Sequence, residues 1–182
     1  MFHLILILGA QILLLFVLLA LIYYFLSMII SDVFGVPFVP TTGRSVKRIF
    51  DSISLKKSDI FYDLGCGDGR LVFFVAKKYG VRAVGVERNP LLNFVSNIRK
   101  QVLKIPHVEF LRKNLFDVNL SEATIIYLFL FPEVVEKLKG KLLTECKKNT
   151  IIVSHGFKIN GWTKRLYFTR EEKPFLTFYY RI

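Results

Sequence analysis

Between Leu4 and Ile30 the chain carries no charged residue, and only Gln11 is strongly polar. As a helix this run would be roughly 40 Å long at ~1.5 Å per residue. A bilayer core of ~30 Å takes about 20 apolar residues, so the run can span it with some tilt. A cleavable signal peptide would show a basic start, a shorter apolar core and a small-x-small cleavage site. Here the start holds only His3, and the run closes in Leu26-Ser27-Met28-Ile29-Ile30. A buried core helix of this length is rarely apolar all round. The sequence therefore predicts a transmembrane anchor over residues 1–30. A linker is expected over 31–42, containing Gly35 and extended by Pro37 and Pro40. At about 3.1 Å per residue it keeps the rest of the chain tethered within roughly 40 Å of the bilayer. The whole chain of 182 residues suffices for one domain plus an appendage, so residues 43–182 are expected to form a single domain.

Charge orients this arrangement. All 26 Lys and Arg lie at or after Arg44. Arg44, Lys47 and Arg48 fall within about 20 residues of the apolar run, where the positive-inside bias is counted. The expectation is a single-pass membrane protein with its domain in the cytoplasm and with Tyr23 and Tyr24 in the inner aromatic belt. Of the 14 acidic residues only Asp32 precedes Arg44, so the domain has a net charge of +13. A tethered basic domain is drawn to anionic lipid headgroups. A nucleic-acid partner would also explain the charge, but the anchor argues against it. Cys66 and Cys146 form no CxxC or Cys/His cluster, so no metal site is implied, and reduced structural thiols are expected.

Past the linker, strand and helix patterns alternate. Thr42 can cap a helix bearing Val46, Ile49, Phe50 and Ile53 on one face. Strands are expected at 59–63, 82–87, 108–111, 123–129 and 150–154. Helices are expected at 70–79, 90–103 and 132–146. The helix over 90–103 aligns Leu91, Phe94, Val95, Ile98 and Val102 on one face, and the run Ala123–Phe129 suits a central strand buried on both sides. Such alternation indicates βαβ units and a mainly parallel α/β sheet. Two final strands, 164–170 and 175–181, are too close in sequence to pair other than antiparallel.

The segment Asp63-Leu64-Gly65-Cys66-Gly67-Asp68-Gly69-Arg70 follows the first strand and opens the first helix of the alternation. Glycines let the backbone turn tightly and approach a ligand, and Cys66 supplies the small side chain such a loop wants. The helix N-terminus offers free N–H groups and partial positive charge. A dinucleotide site reads G-x-G-x-x-G, whereas Gly65, Gly67 and Gly69 read G-x-G-x-G. Two carboxylates beside the loop, Asp63 and Asp68, would repel pyrophosphate. They suit a ligand carrying an amino group and a sulfonium, such as S-adenosyl-L-methionine. No Gly-Lys-Ser/Thr follows, which excludes a P-loop. Glu87, in Glu87-Arg88-Asn89-Pro90 at the end of the second strand, can accept hydrogen bonds from both ribose hydroxyls. Asn114 and Leu115, after the third strand, can meet the adenine amino group and ring. One glycine loop alone could be a tight structural turn; the three features in order point to a cofactor site.

Asp63–Arg70 together with Glu87–Pro90 resembles motif I and the ribose-binding acid of seven-β-strand, class I methyltransferases. The subgroup it most resembles contains the ATP-synthase c-subunit lysine methyltransferases and their small prokaryotic relatives. Pro37-Phe38-Val39-Pro40-Thr41, Leu130-Phe131-Pro132 and Val153-Ser154-His155-Gly156-Phe157 carry the same resemblance, which covers roughly Val36 to the C-terminus. It implies a Rossmann-like sheet ended by an antiparallel hairpin, S-adenosylmethionine as cofactor, and cofactor contacts at Asp63, Gly65, Cys66, Gly67, Gly69, Glu87, Asn89, Asn114 and Leu115. Where many relatives carry Asp this chain has Asn114, which keeps an acceptor oxygen. The resemblance also implies a protein-lysine substrate, here membrane-associated. A methyltransferase for a small molecule, lipid or RNA, or a silent cofactor-binding membrane protein, are the alternatives.

The acceptor pocket is expected at the ends of the fourth and fifth strands, near Phe129, Pro132 and His155. His155 can take a proton at neutral pH and is the candidate catalytic residue; a hydrogen bond to a loop backbone is the blander reading, and the one favoured. Trp162 could cover a pocket, but packing is the expectation.

Overall fold

The computed structural model describes residues 2–33, 43–172 and 175–182. The chain divides into two compact units, Met1–Phe38 and Val39–Ile182. In the first, α1 spans Phe2–Val33. Its segment Ile5–Leu26 is long and apolar enough to cross a membrane by length and composition, and none of it is buried. The helix runs past the expected boundary at residue 30, because Ser31, Asp32 and Val33 contain no breaker. The rest of the expected linker, with Gly35, Pro37, Pro40 and the Thr42 cap, lies outside the described residues.

In the second unit, α2 (Gly43–Asp51) precedes β1 (Ile60–Leu64), α3 (Arg70–Tyr79), β2 (Arg82–Val86), α4 (Pro90–Leu103) and β3 (Val108–Leu111). A 3₁₀ turn at Leu115–Asp117 leads to β4 (Ile125–Leu128), α5 (Pro132–Glu145) and β5 (Ile151–His155). A second 3₁₀ turn at Thr163–Arg165 leads to β6 (Leu166–Glu172) and β7 (Phe175–Arg181). The seven strands form one sheet in the order β3-β2-β1-β4-β5-β7-β6. The first five run parallel, and β7 pairs antiparallel with both β5 and β6. This is the mixed sheet of the class I methyltransferase fold. Several strand ends differ from expectation by one or two residues. Asp59, for instance, is a turn cap, accepting hydrogen bonds from Lys56 N at 2.7 Å and from the Thr124 hydroxyl at 2.9 Å.

The core follows from the apolar pattern. Val46, Ile49 and Phe50 of α2 are buried, Phe50 meets Phe61 edge-on at 5.4 Å, and the Tyr179 hydroxyl donates to Ile49 O at 2.8 Å. α3 buries Leu71, Val72, Phe73, Val75 and Ala76. All four residues of β4 are buried, as a central strand requires. α4 is different. It buries Leu92, Asn93 and Ser96, while Phe94, Ile98 and Val102 of its apolar stripe face outward. The reason is local. A Cβ built on Gly69 would come within 3.1 Å of Ser96 Cβ, and Ser96 Oγ donates to Leu92 O at 2.7 Å and to Gly67 O at 3.4 Å. Only small side chains fit where α4 lies against the glycine loop.

Candidate active site

The loop between β1 and α3 is set by its backbone. Gly65, Gly67 and Gly69 have φ of 91°, 56° and 75°, a region that L side chains rarely adopt. Gly65 N and Cys66 N both donate to Val86 O, at 2.9 and 3.0 Å, so the loop is held to the end of β2. Gly69 has a second constraint: a Cβ there would lie 2.5 Å from the Phe110 ring. Cys66 is buried, and its Sγ stands 2.7 Å from where a Cβ on Gly85 would be. Burial, with Asp63 and Glu87 nearby, pushes its thiol well up, so it stays a neutral packing group.

Three carboxylates surround this loop, in three electrostatic situations. Asp63, on β1 between Gly85 and Tyr127 of the flanking strands, is buried and has no hydrogen bond to its carboxylate among the described residues. Burial first, then the charges of Glu87 and Asp68, push it up to about 8. Glu87 accepts Gly67 N at 3.0 Å and Asn89 N at 2.7 Å. Burial raises it, against the lowering effect of these backbone donors. Asp68 is otherwise disposed. Arg70 donates to it at 2.7 Å and Arg99, from α4, at 2.6 Å. Burial pulls its pKa up, yet the two guanidiniums hold it below the usual carboxylate range. Of the expected pair of carboxylates beside the loop, only Asp63 stays without a cationic partner among the described residues; Asp68 is neutralised by Arg70 and Arg99, and the second carboxylate facing the loop is Glu87.

At the other half of the same sheet edge, His155 is buried, and its Nδ1 lies 2.8 Å from the Thr177 hydroxyl. Its ring meets Phe129 edge-on at 4.7 Å and Phe175 at 5.5 Å, and stacks over Tyr127 at 6.2 Å. Phe129 and Phe175 are themselves 5.3 Å apart, and Phe131 and Phe157 6.3 Å. Gly156, at φ 87°, would bring a Cβ to 3.0 Å from Phe129. This half is built mainly of aromatic rings.

The model of the ANTKMT methyltransferase domain matches residues 63–165, from the first acid of the loop past His155 and Phe157 to the turn before β6. The chain belongs to this family. It is an S-adenosylmethionine-dependent methyltransferase. It is 41% identical over 133 residues to a protein-lysine N-methyltransferase of Saccharolobus islandicus, covering 71% of this chain and 82% of that one. It is 32% identical over 127 residues to the ATP-synthase c-subunit lysine N-methyltransferase of Xenopus laevis, where the match covers 69% of this chain but only 55% of the relative. Among solved structures, an RNA methyltransferase from Salinibacter ruber in complex with S-adenosylhomocysteine superposes with a TM-score of 0.75 at 32% identity. That match covers 79% of this chain and 94% of the other.

In the methyltransferase, Asp63, Gly65, Cys66, Gly67, Gly69 and Glu87 come together around one loop. Asn89 stands beside them as the α4 cap, its side chain accepting from Leu91 N and Leu92 N. Asn114 likewise caps the turn that contains Leu115, accepting from Phe116 N at 3.3 Å. The His155 Nδ1 lies within hydrogen-bond distance of the Thr177 hydroxyl on β7. Trp162 is packing, edge-on to Tyr180 at 5.7 Å. No group of residues able to hold a metal ion occurs among the described residues. Sequence reasoning missed Arg99, Phe175 and Thr177, which reach their partners from 31, 46 and 22 residues away. Arg70 beside Asp68 was the only local hint of the ion pair.

Proposed function

We propose that this methyltransferase N-methylates lysine on a membrane-associated protein, with its catalytic domain anchored at the cytoplasmic face by α1. The lysine assignment is carried by the 41% identity to a protein-lysine N-methyltransferase across 82% of that relative. The site's chemistry fits the cofactor. Asp63, a buried carboxylate with no hydrogen-bonding partner among the described residues, suits a cationic amino-acid group. Glu87 has its orientation fixed by two backbone donors and keeps lone pairs for ribose hydroxyls. Gly65, Cys66, Gly67 and Gly69 supply a close-approach backbone. Asn89 holds Glu87 through its N–H, and Asn114 and Leu115 form the adenine side. When bound, S-adenosylmethionine supplies an electrophilic methyl group on a sulfonium.

The residues of this chain then have two tasks: to hold the acceptor in line and to exclude water. Phe129, Phe131, Phe157 and Phe175 suit the aliphatic stem of a lysine. An apolar setting also favours the neutral amine, which is the nucleophilic form. Aromatic faces attract the methylated ammonium product. His155, engaged with Thr177, orders this aromatic wall and is the candidate for receiving a proton.

A second reading, RNA methylation, is favoured by the Salinibacter structure and by the +13 charge after Arg44. One experiment decides between them. The enzyme is incubated with methyl-labelled S-adenosylmethionine and native membranes containing their bound RNA, and the methyl group is placed by mass spectrometry. Label on lysine is expected, falling when residues 1–30 are removed. Label in RNA alone would overturn the lysine assignment and leave the cofactor assignment standing.

A further inference from the structure

The stripe that α4 turns outward is apolar and long. Phe94 is 62% exposed, Ile98 44% and Val102 73%, with Leu103 52% exposed at the helix end. These side chains sit at i, i+4 and i+8, so they form one continuous face. The inner face is already filled by Leu92, Asn93 and Ser96. Contiguous exposed apolar side chains rimmed by polar ones mark a surface with a partner.

Charge identifies the partner. From Arg88 to Val108 there is no acidic residue, although the chain has 14. The same segment carries Arg88, Arg99, Lys100 and Lys104. Arg99 is committed to Asp68. Arg112 and Lys113, both exposed, follow β3, whose Leu111 O accepts Glu87 N at 3.0 Å, so they stand at the end where α4 begins. An apolar stripe with cations at both ends and no acid is the pattern of a helix lying in an anionic membrane interface. The same chain carries Ile5–Leu26, whose apolar side chains are also unburied.

We propose that the outer face of α4 seats the catalytic domain on an anionic lipid bilayer. Phe94, Ile98 and Val102 enter the headgroup–acyl boundary, and Lys104, Arg112 and Lys113 meet the headgroups. Because α4 begins three residues past Glu87, this seat brings the start of the cofactor edge to the lipid surface. The inference rests on the membrane anchorage proposed above for the local presence of a bilayer.

The test uses the full chain in nanodiscs of phosphatidylcholine, with and without phosphatidylserine, containing quencher-labelled lipid. A fluorophore is placed at Val102→Cys or, as control, at Lys137→Cys on the exposed side of α5; the native Cys66 and Cys146 are buried. Quenching several-fold stronger at 102 than at 137, increasing with phosphatidylserine, is expected. Adding Phe94→Glu and Ile98→Glu should abolish that difference while S-adenosylhomocysteine affinity stays unchanged. Equal quenching at the two positions overturns the proposal. So does a label at 102 already shielded in detergent, whether independently of concentration, meaning another segment of this chain covers α4, or with rising concentration, meaning a second copy does. If the chain does not stay with the nanodisc, the anchor reading fails. The same label is then read with phosphatidylserine vesicles, where absence of quenching overturns the docking proposal too.

Discussion

Two halves of one sheet edge are built on opposite principles. At the β1–β2 end, three carboxylates crowd a single loop in a chain that has 26 basic residues against 14 acidic in all. At the β4–β5–β7 end, the His155 ring meets Tyr127, Phe129 and Phe175, Phe129 also meets Phe175, and none of the four carries a formal negative charge. The first half tolerates a buried acid without a partner among the described residues, Asp63, which costs stability unless something cationic meets it. The second excludes charge, which favours a neutral amine. The proposed reading gives the cofactor to one half and the acceptor to the other, and each part of it can be broken separately.

The largest effect is expected at Gly67. Its φ of 56° puts a β-branched side chain in a conformation costing about 1–3 kcal/mol, in addition to the loss of close approach. Gly67→Val should lower S-adenosylhomocysteine affinity about 100-fold by calorimetry, since each 1.4 kcal/mol is tenfold. Undiminished affinity in a folded variant would remove the loop from the cofactor site. In the other half, Phe129→Leu keeps an apolar side chain but loses ring contacts with His155 and Phe175. Methyl transfer should fall about tenfold, by about 1.4 kcal/mol, with cofactor affinity held within about twofold. Equal loss of both would show that the halves are not separable.

The legibility of the two halves differs for a physical reason. The cofactor half rests on eight consecutive residues, Asp63 to Arg70, whose glycine spacing dictates the backbone wherever it occurs. Glu87 comes from the next strand, and the register Leu64 beside Val86 follows from parallel pairing. The strand–helix alternation was likewise readable, since its period is local. The acceptor half depends on β7 reaching back to β5, which places Thr177 opposite His155. No local pattern announces that pairing, so Thr177 and Phe175 were not foreseen. The direction of the α4 stripe was hidden too. Periodicity gives a face, but only the closeness of Ser96 to Gly67 shows that this face must point outward.

Another effect concerns stability of the ligand-free protein. Asp63, raised to about 8 in the fold from an ordinary 3.8, binds its proton more tightly folded than unfolded. Its contribution therefore favours folding at low pH and is lost as pH rises from about 4 to about 8, at up to about 1.4 kcal/mol per unit. Asp63→Asn, neutral throughout, should gain stability relative to the parent across this window in urea titrations. A difference that is constant with pH would show Asp63 to be ionised in the ligand-free fold.

The most direct measurement is calorimetric titration of S-adenosylhomocysteine into the full chain near pH 7, in buffers of differing ionisation enthalpy. A ligand ammonium placed by Asp63 must draw its proton off. The expected result is binding with release of up to one proton, both lost in Asp63→Asn and binding weakened in Glu87→Gln. Binding without proton release, and unchanged in Asp63→Asn, would contradict the assignment of the cofactor to the β1–β2 half.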